Sequence, residues 1–315
     1  MPQVHVERSG RVMTVTLDNP PRNLMTGRMV GELDQLTREL EGDRSIGAVV
    51  LTGAADGVFI THFDVDEIVR GSGATPQVSS RQAGASLRAV GAMARIPGVR
   101  GAMGRTPAAG LLALQQIHEL FLRMNRLDKT FIAAINGVAM GGGCELTLAC
   151  DVRIMADGDG RIGLPEVTVG ILAGGGGTQR LTRALGPSRA LEMMLEGRLL
   201  TPREAEAVGM VHRVVPPDRL LYEARDTAER LARRSPIAVG AIKRAVYEGG
   251  SRPLGEGLHI EQAGFMAAAS SPAAIRAMET YVREDQSRAD TAPAELPHLF
   301  DRWREGTAVD MTDGG

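Results

Sequence analysis

Residues Ala133 to Asp151 read AAINGVAMGGGCELTLACD, and the fold and chemistry of the chain turn on this stretch. A strand-like apolar run, Phe131 to Ile135, breaks at Asn136-Gly137, and the glycines Gly141 to Gly143 then open a predicted helix. Adjacent glycines cost backbone entropy and offer no side chain to pack, so bare backbone is needed there. Amides at a helix start lack intrahelical partners, point outward and favour negative charge. That geometry suits an oxyanion, and Glu145 follows in the first turn. Downstream, Leu164-Pro165-Glu166 supplies a second carboxylate. Gly174 to Gly177 form a second glycine run, with Thr178 opening a helix directly behind it, which reads as another amide pocket.

The 315 residues can bury a substantial core, and 43% hydrophobic with 23% charged residues is ordinary for a soluble globular protein. A net charge of −2 gives no electrostatic reason to expect nucleic acid or an anionic membrane as partner. Lys129 and Lys243 are the only lysines among 36 basic residues, a bias that says little about function. Cys144 and Cys150 share one predicted helix and cannot build a disulfide framework, and no metal-type Cys/His cluster is present. Cys144 reads as a small buried hydrophobe. The absence of a basic-then-apolar leader and of any membrane-length apolar run leads to the expectation of a reduced, cytoplasmic setting.

Around the central stretch the elements follow from periodicity. Val4 to Glu7 and Val12 to Leu17 read as a hairpin, and Arg28 to Leu40 as a helix. Ile46 to Leu51, Val58 to Ile60 and Val152 to Ala156 read as strands; Thr178 to Leu185 and Arg189 to Leu195 read as helices. After Pro217 the pattern is helical to about Ser287, and Met311 to Gly315 are expected to be disordered. Strands alternating with helices and then helices alone indicate an α/β core with a helical C-terminal part.

Asn136-Gly137-x-Ala139-x-Gly141-Gly142-Gly143-Cys144-Glu145-Leu146, then Gly163-Leu164-Pro165-Glu166, then Gly174 to Leu181 resemble the enoyl-CoA hydratase/isomerase (crotonase) family, over roughly residues 4 to 285. The resemblance implies a crotonase-like spiral of ββα units over residues 1–215, with an insertion at about 71–113. It implies a C-terminal helical trimerisation region at 216–290, followed by a tail at 291–315. It further implies coenzyme A thioester substrates, with coenzyme A part of the substrate and no separate cofactor or metal. By position, the oxyanion amides would be those of Phe63 and Gly142, the acid/base pair Glu145 and Glu166, and the water-positioning amide Gly174. Arg22, Asn23, His62, Asp64 and Phe265 become candidates for contact with substrate or coenzyme A.

Elementary chemistry fits this set. Hydrating an enoyl thioester needs a base for water, an acid at the α-carbon and stabilisation of an enolate-like oxygen. Glu145, beside free amides in a helix first turn, is expected to be the base, and Glu166, flanked by Pro165 and Val167, the acid. The expected activity is enoyl-CoA hydration by a homotrimer or dimer of trimers. The alternatives are a Δ3,Δ2-isomerase, which needs only the carboxylate at position 166, and a non-catalytic acyl-CoA-binding protein. His62-Phe63 departs from the small residues that relatives carry there, and His62 reads as structural with an acid–base role open.

The stretch between Asp64 and Lys129 is longer than relatives carry. Ser80 is expected to cap a helix running to Ile96 and ended by Pro97-Gly98. A second helix is expected from near Pro107, with Leu111, Leu114, Ile117, Leu120 and Met124 facing inward, the whole lying over the acyl end of the site as a cover.

Overall fold

The structure, a computed structural model, describes residues 1–73, 77–94, 96, 109–287 and 300–312. Strands β1 (Val4–Ser9) and β2 (Val12–Leu17) form the expected hairpin, paired from Val4↔Leu17 to Ser9↔Val12. Helix α1 (Gly27–Gly42) starts at Thr26, whose side chain accepts from the Met29 amide, and it buries Met29, Val30, Leu33 and Leu40. Strand β3 (Ala48–Gly53) lies parallel to β2, and β4 (Gly57–Ile60) follows after a tight turn. Helices α2 (Val65–Gly73), α3 (Ser80–Met93) and α4 (Ala109–Arg126) come next. The cap of α3 is Ser79, one residue earlier than expected, in a reciprocal box with Gln82. The expected signals at Pro97-Gly98 and Pro107 lie outside the described residues.

The central stretch folds as β5 (Thr130–Ile135), β6 (Gly137–Met140) and α5 (Gly142–Ala149). Where the sequence reads a strand breaking into a helix, the chain enters a second strand first. Gly137 permits this, because a Cβ there would stand 1.8 Å from the Gly57 carbonyl oxygen of the neighbouring β4. Strand β7 (Val152–Ala156) and the two-residue β8 (Ile162–Gly163) follow. Beyond them lie α6 (Gly177–Leu185), α7 (Pro187–Glu196), β9 (Leu199–Leu200), α8 (Pro202–Ala207) and β10 (Arg213–Val215). The strands make two sheets, in the orders β1-β2-β3-β5-β7-β10 and β4-β6-β8-β9. Of the second sheet only β4 is legible in sequence, as Val58 to Ile60; the other strands, of two to four residues, carry too little alternation to be read.

The last third is helical: α9 (Leu220–Ala232), α10 (Pro236–Tyr247), α11 (Leu254–Ala269) and α12 (Pro272–Gln286), then the short α13 (Asp301–Arg304). Both lysines are buried. Lys243 on α10 donates to the Met124 and Lys129 carbonyls and to Asp151, at 2.6–2.8 Å. A compact ammonium with three donors can serve three convergent oxygens, which a planar guanidinium cannot match. Asp151 also accepts from the Phe131 amide and the Tyr247 hydroxyl, so one carboxylate ties α10 to β5. Near the end of the chain Trp303 stacks edge-on against Tyr281 and donates to Glu284, and Met311 and Thr312 are half-buried; the rest of the stretch expected to be disordered lies outside the described residues.

Candidate active site

Each of the three glycines at the head of α5 has its own reason. Gly141 has φ +48° and ψ −121°, a positive-φ conformation that residues with a Cβ rarely adopt. Gly143 packs so closely on β4 that a Cβ would lie 2.4 Å from the Ile60 carbonyl oxygen. Gly142, between them, faces Phe63, with the position of its missing Cβ 3.3 Å from the Phe63 nitrogen.

Phe63 forms a parallel bridge with Met25: Met25 N–H donates to the His62 carbonyl and Asp64 N–H to the Met25 carbonyl, at 2.9 and 2.8 Å. In such a bridge the amide and carbonyl of the middle residue point the other way. The Phe63 carbonyl accepts 2.7 Å from His62 Nδ1, while the Phe63 and Gly142 amides have no partner among the described residues. Two unpartnered donors thus lie on backbone segments packed against each other, and unpartnered amides are the kind of donor an oxyanion needs. Only backbone is used, so the bulky His62-Phe63 pair is compatible with it.

Glu145 is 5% exposed, and its carboxylate takes amide hydrogen bonds from Gly177, at 2.7 Å, and from Gly175. The amides beside it therefore belong to the second glycine run and the head of α6, not to its own helix as expected. Gly175 must be glycine, since a Cβ there would stand 2.6 Å from Glu145 Oε2 and 3.2 Å from Ile117. Burial raises the Glu145 pKa, opposed by the Gly177 and Gly175 amides and by the charge of Arg180.

Glu166 begins the 3-10 turn Glu166–Val169, its Oε1 3.1 Å from where a Cβ on Gly141 would be. Its Oε2 is buried with no hydrogen-bond partner among the described residues. Burial, with the nearby charge of Glu145 adding to it, pushes its pKa up to about 7. The neutral acid is thus accessible to Glu166 at ordinary pH.

One cavity of about 790 Å³ is lined by both glutamates together with His62, Phe63, Gly142 and Gly174. Its remaining wall is mostly apolar, with Val65 and Ile68 of α2, Leu111, Leu114 and Ile117 of α4, Val169 at the end of the 3-10 turn, and Ile171 and Leu172 beyond it. Of the five α4 positions expected to face inward, Leu120 and Met124 are in the core and the other three line this cavity. Helix α3 packs on α4 through Gln115, whose amide donates to the Leu87 carbonyl, but it contributes no lining residue.

Four other candidates are not brought to this cavity. Asn23 is 1% exposed, its side chain occupied by the Phe59 carbonyl and the Asn19 amide, so it shapes its own loop at φ +50°. Arg22 is exposed on that loop, and Asp64 accepts from the Asp66 amide at the start of α2. Phe265 on α11 is 68% exposed. Cys144 and Cys150 are buried free thiols, their pKa values raised chiefly by burial. No group of residues fit to hold a metal ion occurs among the described residues, nor any helix long and apolar enough to cross a membrane. Sequence reading missed Met25, Gly175, Gly177 and His118. The two glycines lay in a run already singled out, whereas nothing near Met25 or His118 in sequence marks them.

A profile of the enoyl-CoA hydratase/isomerase family matches residues 7–115 and 100–288. The chain belongs to this family. The two matched segments of the family profile overlap at residues 100–115. Among the family's members, a short-chain-enoyl-CoA hydratase of Clostridium acetobutylicum is 31% identical over 92% of this chain and 93% of its own. The 2,3-dehydroadipyl-CoA hydratase of Escherichia coli is 34% identical over 83% of this chain and 88% of its own. The crystal structure of an enoyl-CoA hydratase from Bacillus anthracis superposes with a TM-score of 0.72 at 28% identity, covering 90% of this chain and 96% of that one. The fold is therefore the crotonase fold, and the chain is an enzyme of the hydratase type.

Proposed function

We propose that this enzyme adds water across the 2,3-double bond of an enoyl-CoA thioester. The observation that carries the reading is the pair of glutamates in one apolar cavity beside two free amides, with Glu166 near neutrality in pKa. The thioester carbonyl accepts from the Phe63 and Gly142 amides. Glu145, held by Gly175 and Gly177, takes a proton from water, which the Gly174 amide helps to position. The resulting hydroxide adds at C3, the electron pair moves to the thioester oxygen, and the two amides stabilise that charge. Glu166, as the neutral acid, then delivers a proton to C2. Metal is not required by this sequence of steps, and coenzyme A enters as part of the substrate.

Isomerisation would need only Glu166; a second glutamate fixed by two amides in the same cavity supports hydration. The test is a panel of 2-enoyl-CoA and 3-enoyl-CoA thioesters of varied chain length with purified protein. Hydration predicts loss of the conjugated absorbance with 2-enoyl substrates. Turnover of 3-enoyl substrates alone, or binding without turnover, would overturn it.

We further propose a trimer or dimer of trimers. Helix α11 has no buried residue in the single chain, and Leu254, Phe265 and Met266 are each more than half exposed. Large apolar side chains this exposed on one helix are unusual on a free surface. Light scattering on the purified protein checks it, and a monomer would contradict it.

A further inference from the structure

We propose that His118 is a positioning residue for Glu145, acting through the peptide bond between Gly174 and Gly175; this rests on the hydratase reading. His118 lies on α4, and its Nε2 is 2.6 Å from the Gly174 carbonyl oxygen. A carbonyl only accepts, so Nε2 carries the hydrogen and donates it. The other end of the same planar peptide unit is the Gly175 N–H, which lies against the Glu145 carboxylate and favours its anion, the Gly175 Cβ position standing 2.6 Å from Glu145 Oε2. One rigid plane thus joins an imidazole to a carboxylate. Turning that plane moves both ends together, so the imidazole sets the direction in which the Gly175 amide points.

The plane would otherwise be poorly held. Glycines on both sides of it carry no side chains to restrain rotation, and Gly176 beyond them has φ +105°. Helix α4 supplies the restraint on one face. Leu114 and Ile117 lie 3.6 and 3.2 Å from where Cβ atoms on Gly174 and Gly175 would be, and His118 adds the directed bond. Positions 114, 117 and 118 share one helix face by their spacing. Hydrogen bonds in series also polarise one another, so a donor on the Gly174 oxygen strengthens the Gly175 donation to Glu145. Loss of His118 should leave the cavity and its apolar wall intact while loosening the carboxylate that activates water.

The experiment uses the full chain with a 2-enoyl-CoA substrate, comparing wild type, His118→Ala, His118→Gln and Glu145→Gln. The Gln amide nitrogen can take the place of Nε2 as donor. Expected is a fall in kcat of about tenfold for His118→Ala with KM within about twofold, and kcat within about threefold of wild type for His118→Gln. Hydrogen exchange of the 172–178 backbone should rise in His118→Ala and stay at the wild-type level in His118→Gln. Wild-type kcat and exchange in His118→Ala would overturn the proposal, as would a Gln variant as impaired as Ala. If Ala unfolds the protein, the Gln variant decides: near-normal kcat and exchange support the clamp, and impairment of either overturns it. Turnover retained in Glu145→Gln would instead sink the two-glutamate reading, and the positioning role with it, whatever His118 does to exchange.

Discussion

The two turns that carry the glutamates hold the same chemical group in opposite ways. Glu145 projects from α5 into a ring of amides: Gly175 and Gly177 donate to it, and Arg180 adds a favourable charge. Glu166 sits at the head of a 3-10 turn with one oxygen buried and unpartnered among the described residues. Both are pushed up in pKa by burial, but Glu145 is opposed by two amides and the charge of Arg180, whereas Glu166 has only its own backbone amide to oppose the rise and the charge of Glu145 adds to it. An enzyme that needs one base and one acid from two identical side chains can divide the roles in this way.

The most drastic way to break the comparison is to remove each carboxylate. Glu145→Gln and Glu166→Gln should each cut kcat by about 10³-fold or more while thioester binding, measured by calorimetry, persists. Near-normal turnover in either variant would refute the division of roles.

Next in size is the glycine on which each turn depends. Gly175→Ala should lower kcat by about 10²-fold, because its Cβ would collide with Glu145 and displace the amide that holds it. Gly170→Ala, at the end of the Glu166 turn, meets open space but has φ +79°, so it should cost about 1 kcal/mol of stability with little change in kcat. Denaturant melts and steady-state kinetics on the two variants separate these outcomes.

Smaller, and sharper, is the pH response. An acid of pKa about 7 must be protonated to act, so kcat should fall as pH rises through about 7. The same shift has a stability sign. With the folded value above the ordinary 4.5, the folded state keeps a proton that the unfolded chain has lost, so Glu166 erodes stability as pH rises from about 4.5 to about 7. Glu166→Gln should therefore gain in Tm relative to wild type at pH 8 but not at pH 4. A Tm difference independent of pH would contradict the raised pKa.

The mildest test concerns the wall opposite the glutamates. Replacing residues 74–106 with a short Gly/Ser linker removes the packing of α3 on α4 but leaves every lining residue of the cavity in the chain. It should change chain-length preference more than turnover of the shortest substrate. An unchanged substrate profile in a well-folded variant would show that α3 has no part in the site.

Much of this was legible from local pattern. The β1–β2 hairpin, α1 and β5 follow from alternation or helical spacing over six residues or more. The glycine runs and both glutamates stood out because bare backbone beside a carboxylate has few structural uses. Phe63 and Gly142 are candidates only by likeness to a family, and the structure packs Gly142 against Phe63.

What sequence determined by itself, then, was which residues are candidates for the chemistry and which long elements carry them, because both depend on residue type and short-range spacing. Tertiary structure alone decided how the groups meet. The sheet of two- to four-residue strands exists only because backbones distant in sequence pair with one another. The amides beside Glu145 come from residues 175 and 177, and the bridge that leaves the Phe63 amide unpaired comes from Met25. Asn23 looked available for a ligand until the fold buried it, and His118 looked idle until α4 brought it to the Gly174 carbonyl. Hydrogen-bond direction is a property of three-dimensional placement, and no local pattern in the chain encodes it.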